Sequence, residues 1–319
     1  MKNSIKTEIL QTASKILEIN MGAKPGESLL VVTDTAVSAL IAQAFFDAAS
    51  NIGCEAMLVN MLPRAHSGKE PPGAIAVATR NVDVVIAPTS KSLSHTQART
   101  KCGCGGARMA TMPGITEEMM ASGGITADYK KVSKLVLDTR SILSSAKEIR
   151  VTTNLGTDVA FEVSGCKWKA DTGLCCAPGC CINLPAGEVY VAPKNAEGKI
   201  VVDGTISELG LLSSPIEITV ENRYISEIMG ERADELITLL DSVGKLAYNI
   251  AELGFGLNPD ARMIGNSLED EKTGGTIHVG LGDSSTIGGD VMAGIHLDAI
   301  ITKPRIFVDG RELKPDISQ

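Results

Sequence analysis

The sequence predicts an α/β protein in which an amino-terminal open parallel sheet with flanking helices precedes a carboxy-terminal α+β domain. Through the first half, short apolar runs alternate with amphipathic helical stretches, as strands buried on both faces and joined by right-handed crossovers require. Beyond residue 147 the texture changes to paired strands around polar turns. At 319 residues the chain exceeds the usual single core of roughly 100–200 residues. Two domains are therefore expected, 1–147 and 148–319.

Ile5, Ile9, Ala13, Ile16 and Leu17 recur at three- and four-residue steps, giving a first helix that ends near Gly22. A Lys24-Pro25-Gly26-Glu27 turn leads into a buried strand over 28–33, with Asp34-Thr35 expected to cap a helix that Gly53 closes. Further strands are expected at 55–60, 82–87 and 107–112, and a longer helix over 126–147 carries the chain onward. Segments 148–153 and 158–163 read as one strand pair, and 216–220 with 223–228 as another, turning at Glu221-Asn222. Leu236, Leu239, Leu240, Val243, Leu246, Ala247, Ile250 and Leu253 make a helix stripe that Gly254 would stop, placing Glu252 in its last turn.

Composition narrows the function classes. Aromatics are only 3% and the net charge is −8 with no basic run, so neither nucleic acid nor an anionic membrane finds a phosphate-neutralising surface. No stretch approaches about 18 consecutive apolar residues, so no membrane span is expected. The amino terminus lacks the apolar core of a signal peptide, and a cytoplasmic location follows as the expectation. The eight cysteines should then be thiols.

Chemistry concentrates at 268–298, where Glu269, Asp270, Glu271, His278, His296 and Asp298 lie among glycines and two of the four histidines fall. Imidazole and carboxylate together make a ligand set for zinc, cobalt, manganese or non-haem iron. Glu269 and Asp270 read as charged neighbours rather than ligands. The glycines form no dinucleotide fingerprint and instead suit close backbone approach. Cys175-Cys176 and Cys180-Cys181, with Cys166 nearby, lack zinc-ribbon spacing. They read as small buried thiols or as a second soft-metal or redox site, while Cys102 and Cys104 are expected in a first-half loop.

Several ordered motifs then become legible: the run 183–193 (NLPAGEVYVAP) with Glu188, 251–259 (AELGFGLNP) with Glu252, Asp270-Glu271-Lys272, 275–282 (GTIHVGLG) with His278, and His296-Leu297-Asp298. Lys24-Pro25-Gly26-Glu27, Ser92-Leu93-Ser94-His95 and 106–116 accompany them in the first half, and His95 reads as either a cleft-lining or a capping residue. Together they resemble the aminopeptidase T family of metallopeptidases. The resemblance implies a divalent metal centre, two ions of zinc, cobalt or manganese, on Glu188, Glu252, Glu271, His278, His296 and Asp298. It further implies a homodimeric hydrolase that removes amino-terminal residues from short peptides with a metal-activated water. Two departures stand out: Ser285 occupies the position of the family's tyrosine, and His278 comes seven residues after Glu271. The same fold family includes iron-dependent dihydroxypyridine ring-cleaving dioxygenases acting on small molecules, in which His296 and Asp298 would be joined by another histidine. A cysteine-based metal- or cluster-binding protein is the third alternative.

Overall fold

The computed structural model describes residues 2–94 and 96–313; His95 lies outside the described residues. The chain forms two compact units, one from Met1–Lys130 with Gly173–Ala186, the other from Lys131–Thr172 with Gly187–Gln319. A single break near residue 147 does not reproduce this division, because the segment 173–186 returns to the first unit.

In the first unit five parallel strands run in the order Glu55–Met61, Ser28–Asp34, Val84–Ala87, Arg108–Thr111 and Cys181–Asn183. Ser28–Asp34 is buried from Leu29 onward, as its central position demands. The helix Ala39–Ile52 is capped by the Ser38 hydroxyl, which accepts from the Leu40 amide, and it ends at Gly53 with φ +94°. Asp34, the expected cap, instead accepts from the amides of Ala36 and Ser90. The fifth strand was not foreseen, since Cys181–Asn183 is too short to carry a periodic signal. Its Asn183 side-chain oxygen accepts hydrogen bonds from Ser94 and Thr111. Cys102 and Cys104 lie in the helix Gln97–Cys104, not in a loop; Thr96 caps it by accepting from the Arg99 amide.

The second unit holds two seven-stranded sheets. One runs Tyr224–Met229, Ile216–Glu221, Asn195–Val202, Asp158–Glu162, Glu148–Thr152, Arg305–Val308 and Arg311–Leu313, and contains both expected pairs. The other runs Gly210–Leu211, Thr205–Ile206, His296–Ile301, Ile277–Gly282, Ile250–Gly256, Glu188–Val191 and Lys169–Asp171. Here the helix stripe fails. The helix stops at Ala233–Asp241, Gly244 turns at φ +105°, a 3-10 turn covers Lys245–Tyr248, and Ile250–Gly256 is a strand buried along its whole length. An apolar run buried on both faces has no alternation to distinguish it from helix, so the sequence pattern continued past the real break. Among the described residues, no helix is long and apolar enough to cross a membrane.

Candidate metal centre

Register in the last sheet assembles the site. Glu252 lies opposite Gly280, His278 opposite Gly254, Asp298 opposite Gly280, His296 opposite Gly282 and Glu188 opposite Gly256. Directly paired residues point to the same side of a sheet, and alternate residues along each strand share that side. All five groups therefore converge on one face, and each confronts a glycine. A Cβ at Gly254 would fall 1.9 Å from His278 Nε2, and one at Gly280 would lie 2.7 Å from Glu252 Cβ and 2.8 Å from His296 Nε2. The missing side chains make the space that the imidazoles occupy.

The polar atoms form a closed ring. Asp298 Oδ1 is 3.2 Å from His296 Nε2, which is 3.4 Å from Glu252 Oε2. Glu252 Oε1 is 3.4 Å from His278 Nε2, which is 3.2 Å from Glu188 Oε2. Glu188 Oε1 accepts from Lys272 Nζ at 2.6 Å, Lys272 also contacts Glu271, and Glu271 hydrogen-bonds Asp298. Two trios share Glu252: Glu188–Glu252–His278 and Glu252–His296–Asp298, each with its donor atoms mutually within 4.8 Å. Glu271 belongs to neither. It stands beside them, tied to Lys272 and Asp298.

Burial opposes charge on His278, His296, Glu252 and Asp298, and their partners decide the outcome. Burial pushes His296 down, but the charge and hydrogen bond of Asp298, joined by Glu252, carry it well above the ordinary histidine value. For His278, burial is likewise outweighed by Glu252 and Glu188, and the net direction is up. Glu252 and Asp298 are driven below the usual carboxylate range against the effect of burial, Glu252 by hydrogen bonds from both imidazoles and Asp298 chiefly by His296. Glu271 goes up, through burial and the charges of Asp298 and Glu188, although Lys272 pulls the other way. With Glu271 holding its proton toward Asp298, the other three acids against one ammonium still leave the ring negative when the imidazoles are neutral, so a divalent cation is the natural counter-charge.

The donor set fits such an ion. It offers only imidazole nitrogen and carboxylate oxygen, with no thiol, which suits ferrous iron, manganese, cobalt or zinc. Glu188 Oε2 is buried without a hydrogen-bond partner among the described residues, a costly condition that a cation would relieve. His296 Nδ1–H donates to the Asp283 carbonyl at 2.7 Å, a contact that leaves Nε2 as the ligating nitrogen.

Several other residues define the surroundings. Asp270 accepts from the amides of Ile264 and Gly265 and from the Thr205 hydroxyl, and Glu269 accepts from the Arg262 amide, so both brace the loop ahead of Glu271. The Ser285 hydroxyl donates to Asp283 at 2.6 Å, which leaves it serving the turn that holds His296. Lys272, Tyr190 and Lys169 went unassigned from sequence. Lys272 is 1% exposed; its only signal was its place after Glu271 in a motif. Tyr190 pairs with Gly254 and Lys169 pairs with Tyr190, extending the row of His278 across the same face. Burial, then the charges of Glu188, Glu252 and Asp171, hold the Tyr190 phenol well above its usual range, so it stays protonated and able to donate.

An all-antiparallel sheet bearing a carboxylate–imidazole ring defines a candidate metal-binding fold, and comparison specifies it. Residues 8–314 match the family of 2,5-dihydroxypyridine 5,6-dioxygenases, NicX, and the chain belongs to that family. No curated protein matches the chain. Among solved structures, a 2,5-dihydroxypyridine dioxygenase from Pseudomonas putida KT2440 superposes with a TM-score of 0.81 at 18% identity, over 98% of this chain and 99% of that one. Wild-type AmpT from Thermus thermophilus superposes with a TM-score of 0.70 at 14% identity, over 97% of this chain and 100% of that one. At these identities both likenesses establish the fold. The resemblance to aminopeptidase T thus holds at the level of architecture, and the expectation of a peptidase is corrected: the family matched over nearly the whole chain is the dioxygenase family.

Proposed function

We propose that this chain is a mononuclear non-haem iron dioxygenase that opens a small dihydroxylated aromatic or heteroaromatic ring. The observation that carries the proposal is the Glu252–His296–Asp298 trio, two carboxylates and one imidazole brought together on one sheet face from the two strands that flank Ile277–Gly282, in a member of the NicX family. Glu252 lies between the two imidazoles, and His278 Nε2 is 3.4 Å from its Oε1, so the further histidine that the resemblance implies has His278 as its candidate. Glu252, His296 and Asp298 would hold a ferrous ion, which would supply the one-electron exchange that ground-state dioxygen, a triplet, needs to react with a closed-shell ring.

The chain's own residues do the rest. Asp283 orients His296 through its carbonyl, and Lys272 holds Glu188 and Glu271 in place while offsetting part of their charge. Tyr190 and Lys169 present a phenol and an ammonium on the same face, suited to donate hydrogen bonds to an oxygen substituent of the ring. The test is oxygen uptake by the protein loaded with ferrous iron under anaerobic conditions, then given 2,5-dihydroxypyridine and a panel of dihydroxylated rings. Stoichiometric oxygen consumption with loss of the ring chromophore is expected for at least one of them. A fully loaded protein that consumes no oxygen with any member of the panel would overturn the proposal.

A further inference from the structure

Cys175, Cys176, Cys180 and Cys181 each turn a sulfur toward a backbone carbonyl, of Met109, Ile19, Leu174 and Arg99 in turn, and among the described residues no group of three metal-ligating atoms forms beyond the two trios above. The loop 283–295 has a closer bearing on the site. It joins Ile277–Gly282 to His296–Ile301, the strands of His278 and His296. Lys169 Nζ donates to Thr286 O in this loop at 2.9 Å. Yet two strands separate Lys169–Asp171 from Ile277–Gly282, a gap of about 14 Å at the usual strand spacing of about 4.8 Å. The loop must therefore lie across the ends of those two strands. A second contact agrees: a Cβ at Gly289 would fall 3.2 Å from Ala192 Cβ, just past the end of Glu188–Val191. Lys169 shares the row of Tyr190 and His278, so the loop is fastened as a strap on the face that carries the ring.

From this fastening to the metal site the strap is tied at each step. The Ile287 and Gly289 amides donate to Ser284 O at 3.1 and 2.9 Å, closing a turn around Thr286. The Val291 amide donates to Ser284 Oγ at 3.2 Å, and a Cβ at Gly289 would fall 2.2 Å from that hydroxyl. The Asp283 carboxylate accepts from the Ser285 and Ala293 amides at 2.9 and 2.8 Å, while its carbonyl accepts from His296 Nδ1 at 2.7 Å. A displacement at Thr286 is thus passed to the imidazole. The other tether of the strap is the Arg223–Asp290 ion pair at 3.0 Å, but Asp290 is 76% exposed. A surface pair of that kind contributes little, which leaves the holding to Lys169.

We propose that Lys169 is a positioning residue for the metal centre: its ammonium latches the 283–295 strap at Thr286, and the strap holds the Asp283 carbonyl where it fixes the His296 ring. This rests on the reading of Glu252–His296–Asp298 as the site of the ferrous ion. An ammonium has three N–H donors, so the latch uses one and does not compete with a bond to substrate. Loss of a group that orients a ligating histidine typically costs about 10–100-fold in metal affinity. Lys169 acts from further out, through the strap, and its loss should cost about tenfold.

The test uses the full chain and two readouts: hydrogen–deuterium exchange of the 283–295 amides without metal, and anaerobic titration with cobalt(II) followed by its visible absorption bands. Lys169→Met should speed exchange in the strap, weaken cobalt binding about tenfold and shift the bands. Lys169→Arg keeps a cationic N–H donor and should restore all three. Gly289→Ala, whose methyl displaces the Ser284 hydroxyl, should reproduce the Lys169→Met result with Lys169 in place, and Asp290→Asn should change nothing. Wild-type exchange and cobalt affinity in Lys169→Met would overturn the latch. So would a defect that Lys169→Arg repeats in full, or a raised KM for the ring substrate with both readouts unchanged, which would make Lys169 a substrate contact alone. A wild-type chain that binds no cobalt would instead sink the metal-site reading and this role with it, a result told apart from the others because strap exchange is read without metal.

Discussion

Lys272 shows how much a single buried residue can determine. Its ammonium, hydrogen-bonded to Glu188 and in contact with Glu271, is the fixed positive charge of a ring that otherwise collects carboxylates. Replacement by the similarly long but neutral Met strands two buried acids, and breaking such a pair typically costs about 3–5 kcal/mol. We expect Lys272→Met to lower unfolding stability by about that amount, measured by urea denaturation of the metal-free protein. Protonation adds a second expectation. The raised His278 and His296 values contribute stability to the metal-free protein that is complete below about pH 6.5 and is lost as pH rises through their folded values; the lowered Glu252 and Asp298 contribute above about pH 4 and lose it as pH falls. Stability without metal should therefore peak in the mildly acidic range. Ferrous-ion affinity should instead rise with pH, up to about tenfold per unit for each proton displaced. Parallel pH titrations of denaturation midpoint and iron binding check both, and a metal-free optimum at alkaline pH would contradict the charge assignment.

At the scale of strands, glycines carry the design. Gly254→Ala places a methyl carbon against the His278 ring and Gly280→Ala places one against His296 and Glu252. Overpacking of this kind costs about 1–3 kcal/mol, and the ring must also leave its position. Both variants should keep the sheet, by far-ultraviolet circular dichroism, while losing most bound iron by elemental analysis; full iron content in either would show that the imidazoles do not ligate. The same strands mark how far the sequence could be read. Four of the five parallel strands and the two hairpin pairs were legible because apolar runs and turn residues leave local signals, and the residues that the sheet register brings together lie in ordered motifs. Glu252 was placed on a helix because Leu246, Ala247, Ile250 and Leu253 continue a helical spacing beyond Gly244, and Gly254 was taken for a stop when it is a clearance for His278. Tyr190 is tied to the site by register, opposite Gly254, and Lys272 by its reach to Glu188, more than eighty residues away, which no local pattern shows.

For the whole molecule, the discontinuous path of the chain matters most. The first unit takes its fifth strand from Cys181–Asn183, more than fifty residues after it has handed the chain on at Lys130. A fragment ending at residue 147 would lack this strand, and Thr111 and Ser94 would lose the Asn183 oxygen that accepts from them. We expect that fragment to unfold without a cooperative transition, whereas adding 173–186 in trans as a peptide should restore one. A cooperative transition in the bare fragment would show that the returning strand is dispensable.

The five glycine confrontations also say what kind of object the site is. It resembles a mortise, in which half of the joint consists of material removed. A point substitution can therefore silence this protein without touching any group that performs chemistry: a Cβ at Gly254 or Gly280 would meet the site's own side chains, and one at Gly256 or Gly282 the backbone oxygens of Thr273 or Ile295. An inventory of reactive side chains would pass over all of them, yet adding one methyl group there should be as damaging as removing a carboxylate.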